Sequence, residues 1–366
     1  MDKIKVKAYG KILVFGAYSI LEPGNLGLVV NINKGTTTEI SETKSGRAVF
    51  NLKNFKITLS GERDGHELNL KKTPEIAKYI KTAVENTYMY LKHNEIRLKN
   101  IKLESMNDPE LNIKDMKTGF GSSATSTVSG VATVLKLHGV DNRELVYKIA
   151  RYSHYKAQEN VGSGFDISSS CFGSHFFVSE KQKLEKNFIK YIESSLPLKR
   201  QDFFWPINLK PVFIFTGKSA STKKLVKKVM KFKSENREEY NQFMKKYNQI
   251  NIDCKIAFEE NKLDKIKHYL EKSWKYRKLL GNMINAKIEP DQLTNLMSEF
   301  KLNGTFTAGL MGAGGGDTIL AICKDKEHKE HFVKYLIKKG FLFFSGVNIT
   351  NQRYEFLKSS DKIHNL

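Results

Sequence analysis

Cysteine, arginine and acidic residues are all scarce in this chain, and each shortage narrows what the protein can be. Its three cysteines, Cys171, Cys254 and Cys323, stand far apart. That spacing excludes a disulfide framework and a thiolate metal site, and an odd count of free thiols points to a reducing compartment, the cytoplasm. His328 and His331 lie three apart, but Lys326, Glu327, Lys329 and Glu330 surround them, so they read as a solvated helix face rather than metal ligands. No apolar run is long enough to span a bilayer. Residues 12–21 superficially resemble a signal segment, yet Glu22-Pro-Gly24 follows where a small-residue cleavage site would stand. They read instead as a buried strand and turn.

The shortage of acid is the largest bias. Only 39 acidic residues face 61 basic ones, a formal net charge of +22. Such a field attracts anions: phosphorylated metabolites, nucleotides or nucleic acid. Arginine supplies only 9 of the 61 basic residues, leaving 52 lysines. Base reading and bidentate phosphate recognition favour arginine, so lysine spread over the whole chain argues against a dedicated nucleic-acid reader. Most of these lysines read as solvated surface, as a thermophile carries. With 366 residues, 40% of them hydrophobic, there is material for a large core in two domains or one large one.

What is present is a series of strand and helix patterns punctuated by glycine. Residues 3–9, 28–32 and 56–60 alternate or run apolar as strands do. Between Pro74 and His93 the period changes to that of a helix, with Ile76, Tyr79, Ile80, Ala83, Val84, Thr87, Tyr88 and Leu91 on one face. A strand is expected over 95–104, a helix over 122–138 closed by Gly139, and a helix to about 160 capped by Asp141. A strand over 173–178 and a lysine- and serine-rich boundary over 180–197 come next. Beyond them, strands are expected at 211–215, 305–310, 317–323 and 341–349, with helices between 221 and 300 and over 326–339. This mixture indicates an α+β chain, divided at the boundary into 1–195 and 196–366.

Three glycine-dense turns carry the chemistry. Lys117-Thr-Gly-Phe-Gly-Ser-Ser-Ala124 opens into the apolar helical run Ala124, Val128, Val131, Ala132 and Leu135. A glycine loop entering a helix makes an anion site, because the first N–H groups have no intrahelical partner and the macrodipole adds positive potential. Val161-Gly-Ser-Gly-Phe-Asp166 follows a helix, and Gly312-Ala-Gly-Gly-Gly-Asp317 leads into the strand pattern Thr318–Cys323. Each is also compatible with a tight turn, but a hairpin needs two such residues rather than a run with four glycines.

These loops resemble the motifs of the GHMP kinases, the superfamily of galactokinase, homoserine kinase, mevalonate kinase and phosphomevalonate kinase. The segment 7–24, beginning Lys7-Ala-Tyr-Gly-Lys11, the loop at 118–124 and the cluster at 312–317 stand in the family's order. Tyr18-Ser-Ile-Leu-Glu-Pro-Gly24, Gly162–Asp166, Thr216-Gly-Lys-Ser-Ala-Ser-Thr222 and Gly312–Asp317 are most similar to the phosphomevalonate kinase branch. The resemblance implies a ribosomal-protein-S5-like amino-terminal ATP-binding domain and a ferredoxin-like carboxy-terminal domain, with the site between them. It implies ATP-dependent phosphoryl transfer to (R)-5-phosphomevalonate in isoprenoid biosynthesis, with magnesium. The alternatives are an alcohol acceptor such as mevalonate and, more remotely, RNA binding by an S5-like half.

Residue by residue, the resemblance makes Thr118, Gly119, Phe120, Gly121, Ser122, Ser123 and Ala124 the ATP cradle. Ser123 would be the magnesium ligand, or else a helix-capping hydroxyl. Lys11 would face the acceptor oxygen and the γ-phosphate. Asp166 would orient the acceptor, hold Lys11 or act as a base, or else cap the helix that follows it. The acceptor would meet Lys11, Tyr18, Ser163, Gly164, Asp166, Lys218, Ser219, Ser221, Thr222, Gly312, Ala313 and Gly314. Tyr9, Ala17 and Met311 depart from the family, where proline, glutamate and serine are common. The implied partners are ATP and a small phosphorylated substrate, with no nucleic acid and no membrane, on a monomer or homodimer.

Overall fold

Two long antiparallel strands organise the amino-terminal half. The structure is a computed structural model that describes residues 3–113, 116–180, 187–195, 198–218, 222–316 and 318–358. β1 (Ile4–Phe15) and β2 (Leu26–Glu42) pair along most of their length, with register shifts between Tyr9 and Lys11 and between Leu13 and Phe15. β3 (Arg47–Leu52), β4 (Ile57–Asp64) and β5 (Glu67–Leu70) form a meander. α1 (Glu75–His93) follows Pro74, which stands at its N-cap. Ala77, Ile80, Ala83, Val84, Thr87, Tyr88 and Leu91 are its buried face, as the 3.6-residue period predicts, whereas Ile76 is exposed.

The strand expected over 95–104 starts later, as β6 (Ile101–Asn107). The preceding residues are spent anchoring the chain. Ile96 N–H donates to Leu91 O, and Lys99 gives its N–H to His138 and its Nζ to Leu137 O. β6 joins β2 antiparallel and β3 parallel. A small hairpin, β7 (Asn112–Ile113) and β8 (Met116–Lys117), leads to α2 (Ser122–Leu137) and α3 (Arg143–Ala157). Asn142, not Asp141, caps α3: its side chain accepts from Leu145 N–H, while Asp141 pairs with Lys136 at 2.6 Å. α4 (Phe165–Phe172), β9 (His175–Val178), α5 (Phe188–Glu193) and β10 (Lys199–Asp202) complete this half.

The remainder begins with β11 (Lys210–Phe215) and four helices, α6 (Thr222–Glu235), α7 (Arg237–Glu259), α8 (Leu263–Met283) and α9 (Asp291–Leu302). β12 (Thr307–Leu310) and β13 (Thr318–Cys323) join β11 in a three-stranded antiparallel sheet, covered by α10 (Lys326–Lys339). The strand expected over 341–349 is reduced to one bridge between Phe343 and Ile214. Gly340, in the left-handed region, and the turn at 345–346 leave only the four residues 341–344 to lie along β11. The chain then returns through β14 (Ile349–Thr350) on β2 and β15 (Glu355–Leu357) on β1. The sheets therefore do not divide at residue 195. β10 also extends the large sheet, on β9.

Alternation on the small sheet explains how the halves meet. Phe213, Phe215, Leu320 and Ile322 face one way and pack with Ile12, Val14, Phe15, Val30 and the α7–α8 pair. Val212, Ile214, Ile319 and Ala321 face the other way, under α9 and α10. Trp274 of α8 crosses the boundary and gives its indole N–H to Val14 O at 2.9 Å. Leaving that buried carbonyl unpaired would cost about 1–3 kcal/mol.

One buried histidine makes stability depend on pH. His175 lies on β9, with Nδ1 2.7 Å from Gly173 O and Nε2 2.5 Å from Ser168 Oγ. The carbonyl can only accept, so Nδ1 carries the proton and Nε2 accepts from the hydroxyl. Burial pushes this imidazole down from 6.5 to about 4. Between those values the unfolded chain binds the proton more readily than the folded one, so this contribution is complete above about pH 6.5 and is lost as pH falls toward 4. Urea unfolding followed across that window is expected to show a steeper acid decline in the wild-type protein than in His175→Gln.

Candidate active site

The site starts where β1 and β2 lose register. The pairing passes from Tyr9 opposite Gly35 to Lys11 opposite Asn31, so three residues of β2, 32–34, stand against Gly10 alone. A Cβ on Gly10 would stand 2.7 Å from Phe120 O. Glycine there lets the 118–124 loop lie directly on the strand, where Lys11 N–H donates to Phe120 O at 2.9 Å. The Lys11 side chain crosses the same loop. Its Nζ is 2.9 Å from Gly119 O, and its methylenes lie where a side chain at Gly121 would be. Gly121 takes φ +89° as the N-cap of α2, and no side-chain hydroxyl caps that helix. The first amides of α2 are thus left for another acceptor.

Two further loops face this one. Gly164, at φ +84°, opens α4, and Asp166 stands in its first turn. Asp166 Oδ1 accepts from Ile167 N–H at 3.0 Å, while Oδ2 is turned toward His154 at 3.8 Å. The 312–314 loop is tied to the amino-terminal half by Gly312 N–H to Leu13 O and by Tyr18 OH to Ala313 O at 2.7 Å. Together these loops, Lys11 and Tyr18 enclose a cleft of about 400 Å³. Glu75, Tyr79, Lys117, Gln158 and Lys223 also line it.

Below the cleft floor lies His154, fully buried on α3. Its Nε2 is 3.2 Å from Ser123 Oγ and 3.2 Å from the side-chain amide of Gln158. Burial pushes the imidazole pKa down. Asp166 opposes that shift, and Arg151, Lys11 and Lys117 reinforce it. The ring is therefore neutral at physiological pH. With its proton on Nδ1, Nε2 can accept the Ser123 hydroxyl proton and leave that oxygen's lone pairs to the cleft.

Ser123 and Asp166 thus bring hard oxygen donors to one place. Among the described residues no group of three His, Cys, Asp or Glu forms a metal cage. Magnesium characteristically takes one or two protein oxygens and completes its shell with phosphates and water, so the residues present fit it.

The family model for the N-terminal domain of GHMP kinases matches residues 78–174, and the one described as GHMP kinases C terminal matches 255–341. A phosphomevalonate kinase of Saccharolobus solfataricus is 30% identical over 331 residues, covering 88% of this chain and 91% of that protein. The chain belongs to the GHMP kinase family. A mevalonate kinase of Pyrococcus furiosus is 24% identical over 89% of this chain and 91% of its own. The Streptococcus pneumoniae phosphomevalonate kinase solved with phosphomevalonate and AMPPNP shares the fold, with a TM-score of 0.77 at 19% identity over 96% of this chain and 100% of that one.

Within this kinase the expected site residues that the structure describes separate into three groups. Lys11, Tyr18, Gly119, Gly121, Ser122, Ser123, Ser163, Gly164, Asp166, Thr222, Gly312, Ala313 and Gly314 line the cleft. Thr118, Phe120 and Ala124 are buried behind it, Phe120 with its ring against Phe213 and Phe344, so only their backbones can take part. Lys218 is exposed, does not line the cleft and gives its Nζ to Gln292 at 2.9 Å. Its position follows from the packing of its backbone against Gly316, where a Cβ would meet Lys218 O at 2.8 Å. Ser219 and Ser221 lie outside the described residues.

The departures from the family also have places. Tyr9 hydrogen-bonds Glu355 of β15, and Ala17 and Met311 line the cleft. Glu22, within the matching stretch 18–24, is held by Lys233 at 2.7 Å and Tyr240 at 2.6 Å. Sequence reasoning missed His154, Gln158, Lys117 and Glu75 and assigned Tyr79 to the core. For His154 and Gln158 the only signal was their i, i+4 spacing just before Gly162.

Because α2 has no side-chain cap, Ser123→Ala tests the hydroxyl itself. The expected result is loss of metal-dependent turnover with a stability change within about 1 kcal/mol, the scale of losing one hydrogen bond. Persistent activity with only a drop in unfolding free energy would remove Ser123 from the chemistry.

Proposed function

We propose that the protein transfers the γ-phosphoryl group of ATP to (R)-5-phosphomevalonate, giving 5-diphosphomevalonate and ADP, in the mevalonate route to isoprenoids. The observation that carries this reading is one cleft lined by three glycine loops and Lys11, in a chain 30% identical to a phosphomevalonate kinase over 88% of its length. We place the reaction in the cytoplasm, on a monomer or homodimer, with 1–195 as the ATP-binding part and 196–366 as its carboxy-terminal companion.

Transfer between two phosphates is chiefly a problem of repulsion and alignment. The acceptor phosphate has a second pKa near 6, so at neutral pH it is already a nucleophilic dianion. The amides that open α2 hold the nucleotide phosphates. Magnesium, held by Ser123 with Asp166 beside it, would supply charge neutralisation on those phosphates. Lys11 adds a fixed positive group above Gly119 and Gly121, where charge develops as the γ-phosphoryl group moves. Asp166, anchored by Ile167 N–H, orients the acceptor. The walls at 162–164 and 312–314 close around the acceptor and limit water.

Mevalonate is the second reading, favoured by the 24% identity to the Pyrococcus furiosus mevalonate kinase. RNA binding finds less support. Of the aromatic run 203–205, Phe203 is buried and Trp205 gives its indole N–H to Leu209 O, leaving Phe204 as the exposed ring.

Purified enzyme assayed in parallel with mevalonate, 5-phosphomevalonate and other mevalonate phosphates should turn over ATP with 5-phosphomevalonate and a divalent metal. Equal or better turnover of mevalonate would overturn the assignment. Lys11→Met is expected to lose on the order of 10²–10³ in rate at every pH. Asp166→Asn should keep a residual rate that levels off near pH 6–7, once the acceptor has lost its second proton. A rate that keeps climbing above pH 8 would show that proton removal limits the reaction, and would favour an alcohol acceptor.

A further inference from the structure

Nine arginines stand among 52 lysines, and two of the nine are buried against two of the loops that line the cleft. Arg151 of α3 is 5% exposed and gives Nη2–H to Gly162 O at 3.2 Å. Gly164 rests on it, since a Cβ there would stand 2.2 Å from Arg151 Nε. Arg277 of α8 is 1% exposed and gives Nη1–H to Leu310 O at 2.5 Å and to Gly312 O at 3.4 Å. Each has one glutamate nearby, Glu180 at 3.8 Å and Glu289 at 3.4 Å. Each also has a buried Nε–H that finds no acceptor among the described residues.

In a trans peptide the carbonyl of one residue and the N–H of the next point in opposite directions. A guanidinium that draws Gly162 O into the protein therefore turns Ser163 N–H away from itself, and Ser163 lines the cleft. The same geometry at Gly312 turns Ala313 N–H away from Arg277. We propose that Arg151 and Arg277 are positioning residues that aim the Ser163 and Ala313 amides, from two separate loops, at the anionic end of the acceptor. The proposal rests on the reading of this cleft as the acceptor site. Arginine suits the task where lysine does not, because it keeps its charge when buried and its planar fork can serve a carbonyl and a carboxylate together. The glutamates offset a charge that would be costly to bury alone.

The test compares Arg151→Met, Arg151→Lys, Arg277→Met and Arg277→Lys with the wild-type enzyme. KM is measured for ATP and for whichever of mevalonate and 5-phosphomevalonate the wild type turns over, and thermal unfolding is recorded alongside. Each methionine variant should raise the acceptor KM about tenfold or more, the scale of one charged hydrogen bond, with the ATP KM within about twofold. Each lysine variant, still able to donate to one carbonyl, should recover part of the acceptor KM. A packing role predicts methionine equal to or better than lysine, or parallel rises in both KM values; either result overturns the proposal. If a methionine variant does not fold, the glutamine variant at the same position replaces it, with the same two outcomes. A wild-type preference for mevalonate would instead reject the assigned substrate, and the split between the two KM values would still decide the role of the arginines.

Discussion

Everything at the cleft depends on how closely the 118–124 loop can approach β1. That approach is set by one missing Cβ, at Gly10, and by the hydrogen bond from Lys11 N–H to Phe120 O. At this irregularity in the β1–β2 pairing, Lys11 reaches across the loop at the start of α2. Cation, glycine loop and helix start are thereby placed by one local irregularity. Phe120 locks the arrangement from behind, with its ring against Phe213 and Phe344 of the other half.

The cleft is a product of both halves, which are coupled by buried apolar packing and by hydrogen bonds. One face of the three-stranded sheet packs on β1 and β2, and Trp274 and the 312–314 loop bond directly to Val14 and Leu13 of β1. The strand that carries Lys11 therefore also registers the opposite wall. The return of β14 and β15 to the large sheet adds a second tie, through Tyr9 and Glu355 among others.

Charge is divided by residue type. The lysines make a diffuse positive surface suited to attracting phosphorylated ligands. Some of them are paired, Lys223 of the cleft lining with Glu159 and Lys233 with Glu22. Arginine is used sparingly, and at Arg151 and Arg277 it is used inside, where a permanent charge with fixed geometry matters more than net charge. The neutral, buried His154 supplies an acceptor to Ser123 close to the positive charges of Arg151, Lys11 and Lys117.

The order of the glycine loops, the apolar run that follows the first of them and the amphipathic face of α1 were legible from residues alone, because each depends on local periodicity and backbone freedom. The family resemblance extended that reading to Lys11, Ser123 and Asp166, and these three do line one cleft. Other features depended on partners distant in sequence. Asn142 rather than Asp141 caps α3 because Lys136 engages the aspartate, and residues 95–100 are diverted from a strand by Leu91, Leu137 and His138. Lys218 carries the same charge as Lys11 yet lies outside the cleft, because its loop is seated on Gly316. His154, Arg151 and Arg277 had no local signature, since a buried polar side chain in a helix reads like any other helical residue. Sequence by itself determined where the glycine loops stand and that the first of them opens into a helix. Only the tertiary structure decided which side chains face them, because that choice depends on contacts made after two distant segments have packed.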